Sequence, residues 1–108
     1  MKLRLTDERT IYLIPPGEIL LDVKRALEKV GLKIVAEARL SRGGWRVQAS
    51  NGGRWVKVVI TYERRTLQPL KVFGEIPITT LFTTAEGDED FLRRLMRSLE
   101  LSLLRCLG

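Results

Sequence analysis

WRVQASNGGRWVKVVITYE, residues 45–63, is the stretch whose reading decides the fold. Before the Asn51-Gly52-Gly53 break the apolar residues sit at odd positions (Trp45, Val47, Ala49). After it they sit at even ones (Val56, Val58, Ile60, Tyr62). A period of two on both sides of an Asn-Gly pair is the pattern of a β-hairpin with one buried face. Facing residues must share a sheet face, so the switch from odd to even demands an even number of loop residues. A two-residue Asn51-Gly52 turn, with Ser50 opposite Gly53, meets that demand and predicts strands over Trp45–Ser50 and Arg54–Glu63.

Toward the N-terminus, Lys33 to Leu40 also alternates, with Ile34, Ala36, Ala38 and Leu40 on one side and Lys33, Glu37, Arg39 and Ser41 on the other. Closing this strand onto Trp45 through Arg42-Gly43 sets Arg39 opposite Arg46. The second hairpin sets Arg46 opposite Lys57. Arg39, Arg46 and Lys57 are therefore expected in one row across three strands, on the face away from the core. Like charges directly opposite one another cost a few tenths to about 1 kcal/mol per pair unless an anion relieves them. Further out, Pro15-Pro16-Gly17 opens a helix with Ile19, Leu20, Val23, Ala26, Leu27 and Val30 on one face and Gly31 as its stop. Leu3–Thr6 and Thr10–Ile14 predict a first strand or small hairpin.

Toward the C-terminus, Leu70–Glu75 reads as a fourth strand, with Glu75 beside Lys57 and with Lys71 and Phe73 joining the basic face. The Thr-rich run after Pro77 suggests a fifth, edge strand over Ile78–Thr83. Asp88 is placed as the N-cap of a last helix, with Glu89 and Asp90 complementing its dipole. Leu92, Leu95, Met96, Leu99, Leu103 and Cys106 form that helix's core stripe. Leu101, Leu104 and Leu107 widen the stripe beyond one face, which suggests a seam for a second copy or a protein partner. The expected fold is a single α+β domain over 1–108: a mainly antiparallel sheet of four or five strands, two helices on one face, and a partly open, basic other face.

Composition narrows the function. Residues 33–71 hold nine Lys or Arg against two acids, more than the +6 carried by the whole chain of 108 residues, so the positive field belongs to the meander. With no His and one Cys, the commonest general base is missing and a thiolate metal site is implausible. No catalytic residue, metal site or cofactor is expected. Glu86, Asp88, Glu89 and Asp90 crowd together, but capping explains them more simply than a cation does. Cys106 alone forms no internal disulfide, and Met1-Lys2-Leu3-Arg4 opens no secretory apolar run, so a cytoplasmic, membrane-free setting is expected. Few amide residues and many Arg and Glu match a thermophilic source.

The order helix, three-strand meander, helix is similar to that of double-stranded RNA-binding domains and of the Alu-binding subunits of the signal recognition particle. Double-stranded RNA-binding domains carry a basic cluster at the start of the last helix, where this chain has Gly87-Asp88-Glu89-Asp90. Basic and aromatic residues mixed on a sheet also resemble the non-OB single-stranded DNA-binding proteins of some hyperthermophilic archaea. No motif matches residue by residue, so neither likeness assigns a functional residue. The expectation from the residues is non-enzymatic binding of nucleic acid, single-stranded DNA or RNA before duplex. Arg39, Arg42, Arg46, Arg54, Lys57 and Lys71 would hold phosphates, with Trp55 and Phe73 stacking on bases. The rival expectation is an adaptor subunit that docks a protein, or itself, through the sheet face or the leucine-rich last helix.

Overall fold

The computed structural model describes residues 2–104. Two helices lie on one face of a five-stranded antiparallel sheet that does not close, in the strand order β1-β5-β4-β3-β2. The strands are β1 Leu3–Tyr12, β2 Lys33–Arg39, β3 Trp45–Asn51, β4 Arg54–Arg65 and β5 Ile76–Gly87. The helices are α1 Pro16–Lys29 and α2 Glu89–Leu103. One core lies between the layers, built from Val47, Val56, Val58 and Ile60 of the sheet, Ile19, Val23 and Leu27 of α1, and Phe91, Leu95 and Leu99 of α2. Burying each such side chain stabilises by about 1.5–3 kcal/mol. Among the described residues no helix is long and apolar enough to cross a membrane.

Helix α1 follows its sequence signals: Pro15 and Pro16 start it, and Gly31, at φ +85°, ends it. Helix α2 begins where Asp88 accepts a hydrogen bond from the Phe91 N–H at 3.3 Å. Ser98 Oγ donates to the Ala26 carbonyl at 2.8 Å, which ties the two helices together. The acids around the start of α2 are all engaged: Glu86 with Arg4, Asp88 with Arg54, Glu89 with Arg93 and Asp90 with Arg94.

Of the two forms expected for the N-terminal segment, a first strand or a small hairpin, the chain takes the first, the continuous strand β1. Three expectations are corrected. Leu70–Glu75 is no strand: Gln68–Phe73 winds into a short 3-10 helix, with Pro69 in its first turn, so Thr84 and not Glu75 lies beside Lys57. Ile76–Gly87 is not an edge strand but a long inner one, paired with β4 on one side and β1 on the other. Pro77 is tolerated because it sits at the strand's start, where a missing N–H costs least.

The third correction concerns register. The turn between β3 and β4 is Gly52-Gly53, with Asn51 opposite Arg54 and Trp45 opposite Ile60. Gly52 takes φ +63° at the first loop position, as a two-residue hairpin of type II′ requires. The shift is by two residues, so inward and outward assignments survive in β3 and β4, but Arg46 faces Val59 and Lys57 faces Gln48. In β2 a bulge at Val35 inserts one extra residue, which reverses the faces beyond it. Ile34 still points into the core opposite Ala49, yet Glu37 pairs with Val47 and Arg39 with Trp45, both on the helix side. Lys24 of α1 confirms that orientation by meeting Glu37 at 2.7 Å.

Candidate nucleic-acid interface

The register fixes what the open face carries. Parallel rows run across the strands: Lys33, Ser50, Trp55, Glu86 and Arg4 in one; Ala36, Gln48, Lys57, Thr84 and Thr6 in the next; Ala38, Arg46, Val59, Phe82 and Glu8 in the third. The expected single row of Arg39, Arg46 and Lys57 is therefore broken. Arg46 and Lys57 stay on the open face in neighbouring rows. Arg39 lies on the other side, its guanidinium 5.5 Å from the Trp45 ring. Arg54 also points to the helix side, 5.3 Å over the Phe91 ring and 3.2 Å from Asp88. Arg42 sits in the β2–β3 loop, and Lys71 and Phe73 belong to the 3-10 helix, where Phe73 is 70% exposed.

Charge on the open face is divided. Its acids, Glu8, Glu86 and Glu63, lie on β1, β5 and the far end of β4, where Arg4 meets Glu86 at 3.8 Å and Arg65 meets Glu63 at 3.3 Å. The β2–β4 half carries Lys33, Arg46 and Lys57, none of which makes an ion pair among the described residues. Two of these cations flank Trp55: Lys57 is two residues along the same strand, and Lys33 stands about 10 Å away across two strand spacings, while Arg46 lies two rows along, opposite Val59. Trp55 is half-buried, and Arg4 stacks over its ring at 5.7 Å. A shallow depression of ≈ 360 Å³, walled by Val35, Trp55 and Lys57 over Gln48 and Ser50, opens beside the indole. Lys33 and Val35 stand on this face by plain alternation with Ile34, the signal that could have found Lys33, and the bulge then turns the small Ala36 and Ala38 outward beyond them.

At the other end of β4 lies a pocket of ≈ 450 Å³, where β4 runs past the start of β3 and the β2–β3 loop folds against it. Arg42, Thr61, Tyr62, Glu63, Ile78 and Thr80 line it. Arg42 holds a left-handed φ of +77°, uncommon for a residue with a side chain. Gly44 is buried there because a Cβ would run into the Ile60 carbonyl oxygen.

The suggested seam is divided as well. Leu101 and Leu104 are exposed on α2, whereas Leu107 and Cys106 lie outside the described residues.

No family model matches the chain, and no curated protein matches it. Among solved structures it is similar to a protein from Thermus thermophilus, at 16% identity over 98% of this chain and 100% of that one, with a TM-score of 0.32. It is also similar to a putative uncharacterized protein from Rhizobium leguminosarum, at 10% identity over 97% of this chain and 96% of that one, with a TM-score of 0.30. Likenesses at these TM-scores carry no argument about what this chain does.

Proposed function

We propose that the chain is a non-enzymatic nucleic-acid-binding protein that takes single-stranded DNA or RNA along the β2–β4 half of its open face. The observation that carries this reading is the set of cations Lys33, Arg46 and Lys57, none with an ion pair among the described residues, on the sheet face away from α1 and α2, with Lys33 and Lys57 flanking the half-buried Trp55 and Arg46 two rows along. Unpaired ammonium and guanidinium groups follow phosphates, and an indole stacks on any base for roughly 1–3 kcal/mol. Arg4, already over the indole, is replaced there by the incoming base and released toward the backbone.

Fluorescence-anisotropy titration with labelled oligo-dT, poly-U and a duplex, at two salt concentrations, tests the reading. Single strands bind more tightly than duplex, and affinity falls steeply with salt because phosphate contacts release counterions. Trp55→Ala weakens binding about tenfold, and Arg46→Glu lowers both the affinity and the salt slope. Absence of binding at low salt contradicts the proposal.

One observation favours a second reading, self-association or docking of a protein partner. Tyr12 and Leu13 at the end of β1, Val72 and Phe73 in the 3-10 helix, and Leu101 and Leu104 at the end of α2 are all exposed apolar side chains. Tyr12 and Leu13 lie beside the start of β5, where the 3-10 helix joins it, and Glu100 next to Leu101 pairs with Arg9 of β1. Exposed apolar side chains in such numbers suit a contact surface.

A further inference from the structure

We infer that the pocket between the β2–β3 loop and the far end of β4 receives a single nucleobase and prefers guanine; this rests on the single-strand reading above and extends it to base choice. Thr61 and Glu63 occupy the same outward side of β4 as Trp55 and Lys57, so a strand laid along the open face from Trp55 runs into the pocket. The path from Trp55 to Glu63 covers eight strand steps, about 27 Å. With ≈ 450 Å³ the pocket falls within the roughly 300–1,000 Å³ of ordinary ligand sites.

The chemistry of its walls selects the end of the nucleotide that enters. Glu63 belongs to the lining, and Arg65 meets its Oε1 at 3.3 Å, which leaves Oε2 and the second lone pair of Oε1 to accept. A carboxylate only accepts hydrogen bonds, and it repels a phosphate, so the base enters and the phosphate stays outside. Guanine alone among the bases offers two adjacent donors, N1–H and the N2 amino group, at a spacing that one carboxylate satisfies. Cytosine and adenine offer an amino group beside a ring acceptor. Uracil and thymine offer one N–H flanked by two carbonyl oxygens that the carboxylate repels.

The remaining walls complete the fit. The Thr61 and Thr80 hydroxyls are available to the carbonyl and ring nitrogen of the base, and Ile78, 2% exposed, gives an apolar floor. Tyr62 flanks the site with its hydroxyl accepting a hydrogen bond from Arg64 at 3.2 Å. Arg42 stands in the loop at the rim and has no ion pair among the described residues, so its guanidinium is free for the phosphate left outside. Its left-handed backbone is a strained conformation of the kind that persists where surrounding structure holds a side chain to a task.

The test titrates the whole chain with guanosine and uridine monophosphates by calorimetry, and in parallel with labelled oligo-dT by anisotropy. Guanosine monophosphate is expected to bind roughly tenfold more tightly than uridine monophosphate. Glu63→Gln abolishes that preference and leaves oligo-dT affinity unchanged, while Trp55→Ala does the reverse. Equal affinities for the two nucleotides, or a preference that survives Glu63→Gln, overturns the inference even if oligo-dT binds. A guanine preference without oligo-dT binding upholds the pocket and removes the single-strand path. Binding of none of these ligands overturns both.

Discussion

Trp55 owes its position to a single fact of parity: it lies beside Val56, and Val56 is in the core. Its neighbours decide what the indole can do. Lys57 follows it on the same face, and Arg4 reaches it over Glu86 from two strands away. At the opposite extreme Gly44 is specified by contact. A Cβ there would meet the Ile60 carbonyl oxygen, which cannot retreat without breaking the sheet, so Gly44→Ala is expected to destabilise by about 1–3 kcal/mol in chemical denaturation. Asp88 is held below the usual carboxylate range. Desolvation works to raise its carboxyl, but hydrogen bonds from the Phe91 N–H and its own N–H, with the Arg54 guanidinium, outweigh it and hold the group below the ordinary 3.8. A depressed folded-state value means that ionised Asp88 stabilises fully above that ordinary value and loses its contribution as pH falls through the lower one. Wild type and Asp88→Ala should therefore differ in Tm at neutral pH and converge in strong acid; a constant difference across that window would contradict the assignment.

The elements show which parts of the fold were legible in the residues. Helix α1 and the start of α2 were written in proline, glycine and a capping aspartate, local signals that tertiary packing has no reason to override. The β3–β4 hairpin was legible in its faces but not in its rows, because Asn51-Gly52 and Gly52-Gly53 are both acceptable two-residue loops of the same parity. The bulge at Val35 left no mark: one extra residue in an alternating run changes nothing in composition, yet it sends Arg39 to the helix side and Ala36 and Ala38 to the open face. Strand β5 misled for a different reason. Threonine is as content on a solvated face as in a pleated interior, so Thr79 and Thr83, both buried, read no differently from the surface Thr80 and Thr84. Deleting Val35 is expected to remove the bulge and leave a plain alternation in which Glu37 and Arg39 keep the helix side, so Glu37 still meets Lys24 and oligo-dT affinity does not rise. Stronger binding of oligo-dT, the sign of Arg39 reaching the open face, would contradict this register.

At the scale of the molecule the chain's positive charge is sorted by the sheet. The open face's acids occupy β1, β5 and the far end of β4, the helix side takes Arg39 and Arg54, and the β2–β4 half keeps three cations with no ion pair among the described residues. The nucleic-acid reading thus rests on fewer residues than the basic segment offered, arranged around one aromatic. The exposed leucines of α2, Leu101 and Leu104, belong to a separate surface, and it has a separate readout. Light scattering over a range of concentrations is expected to show a mass that falls on Leu104→Glu, while oligo-dT affinity per chain stays constant; an unchanged mass would exclude that surface as a seam. The central claim, that a base stacks on Trp55, is tested most directly by its own emission. The chain has two tryptophans, and Trp45 lies on the helix side beneath Arg39, so Trp45→Phe leaves Trp55 as the only indole reporter. Titrated with oligo-dT at low salt, this variant should lose Trp55 fluorescence in a saturable curve that tracks the anisotropy and is reversed by added salt. Emission that stays constant while the oligonucleotide binds would contradict the account.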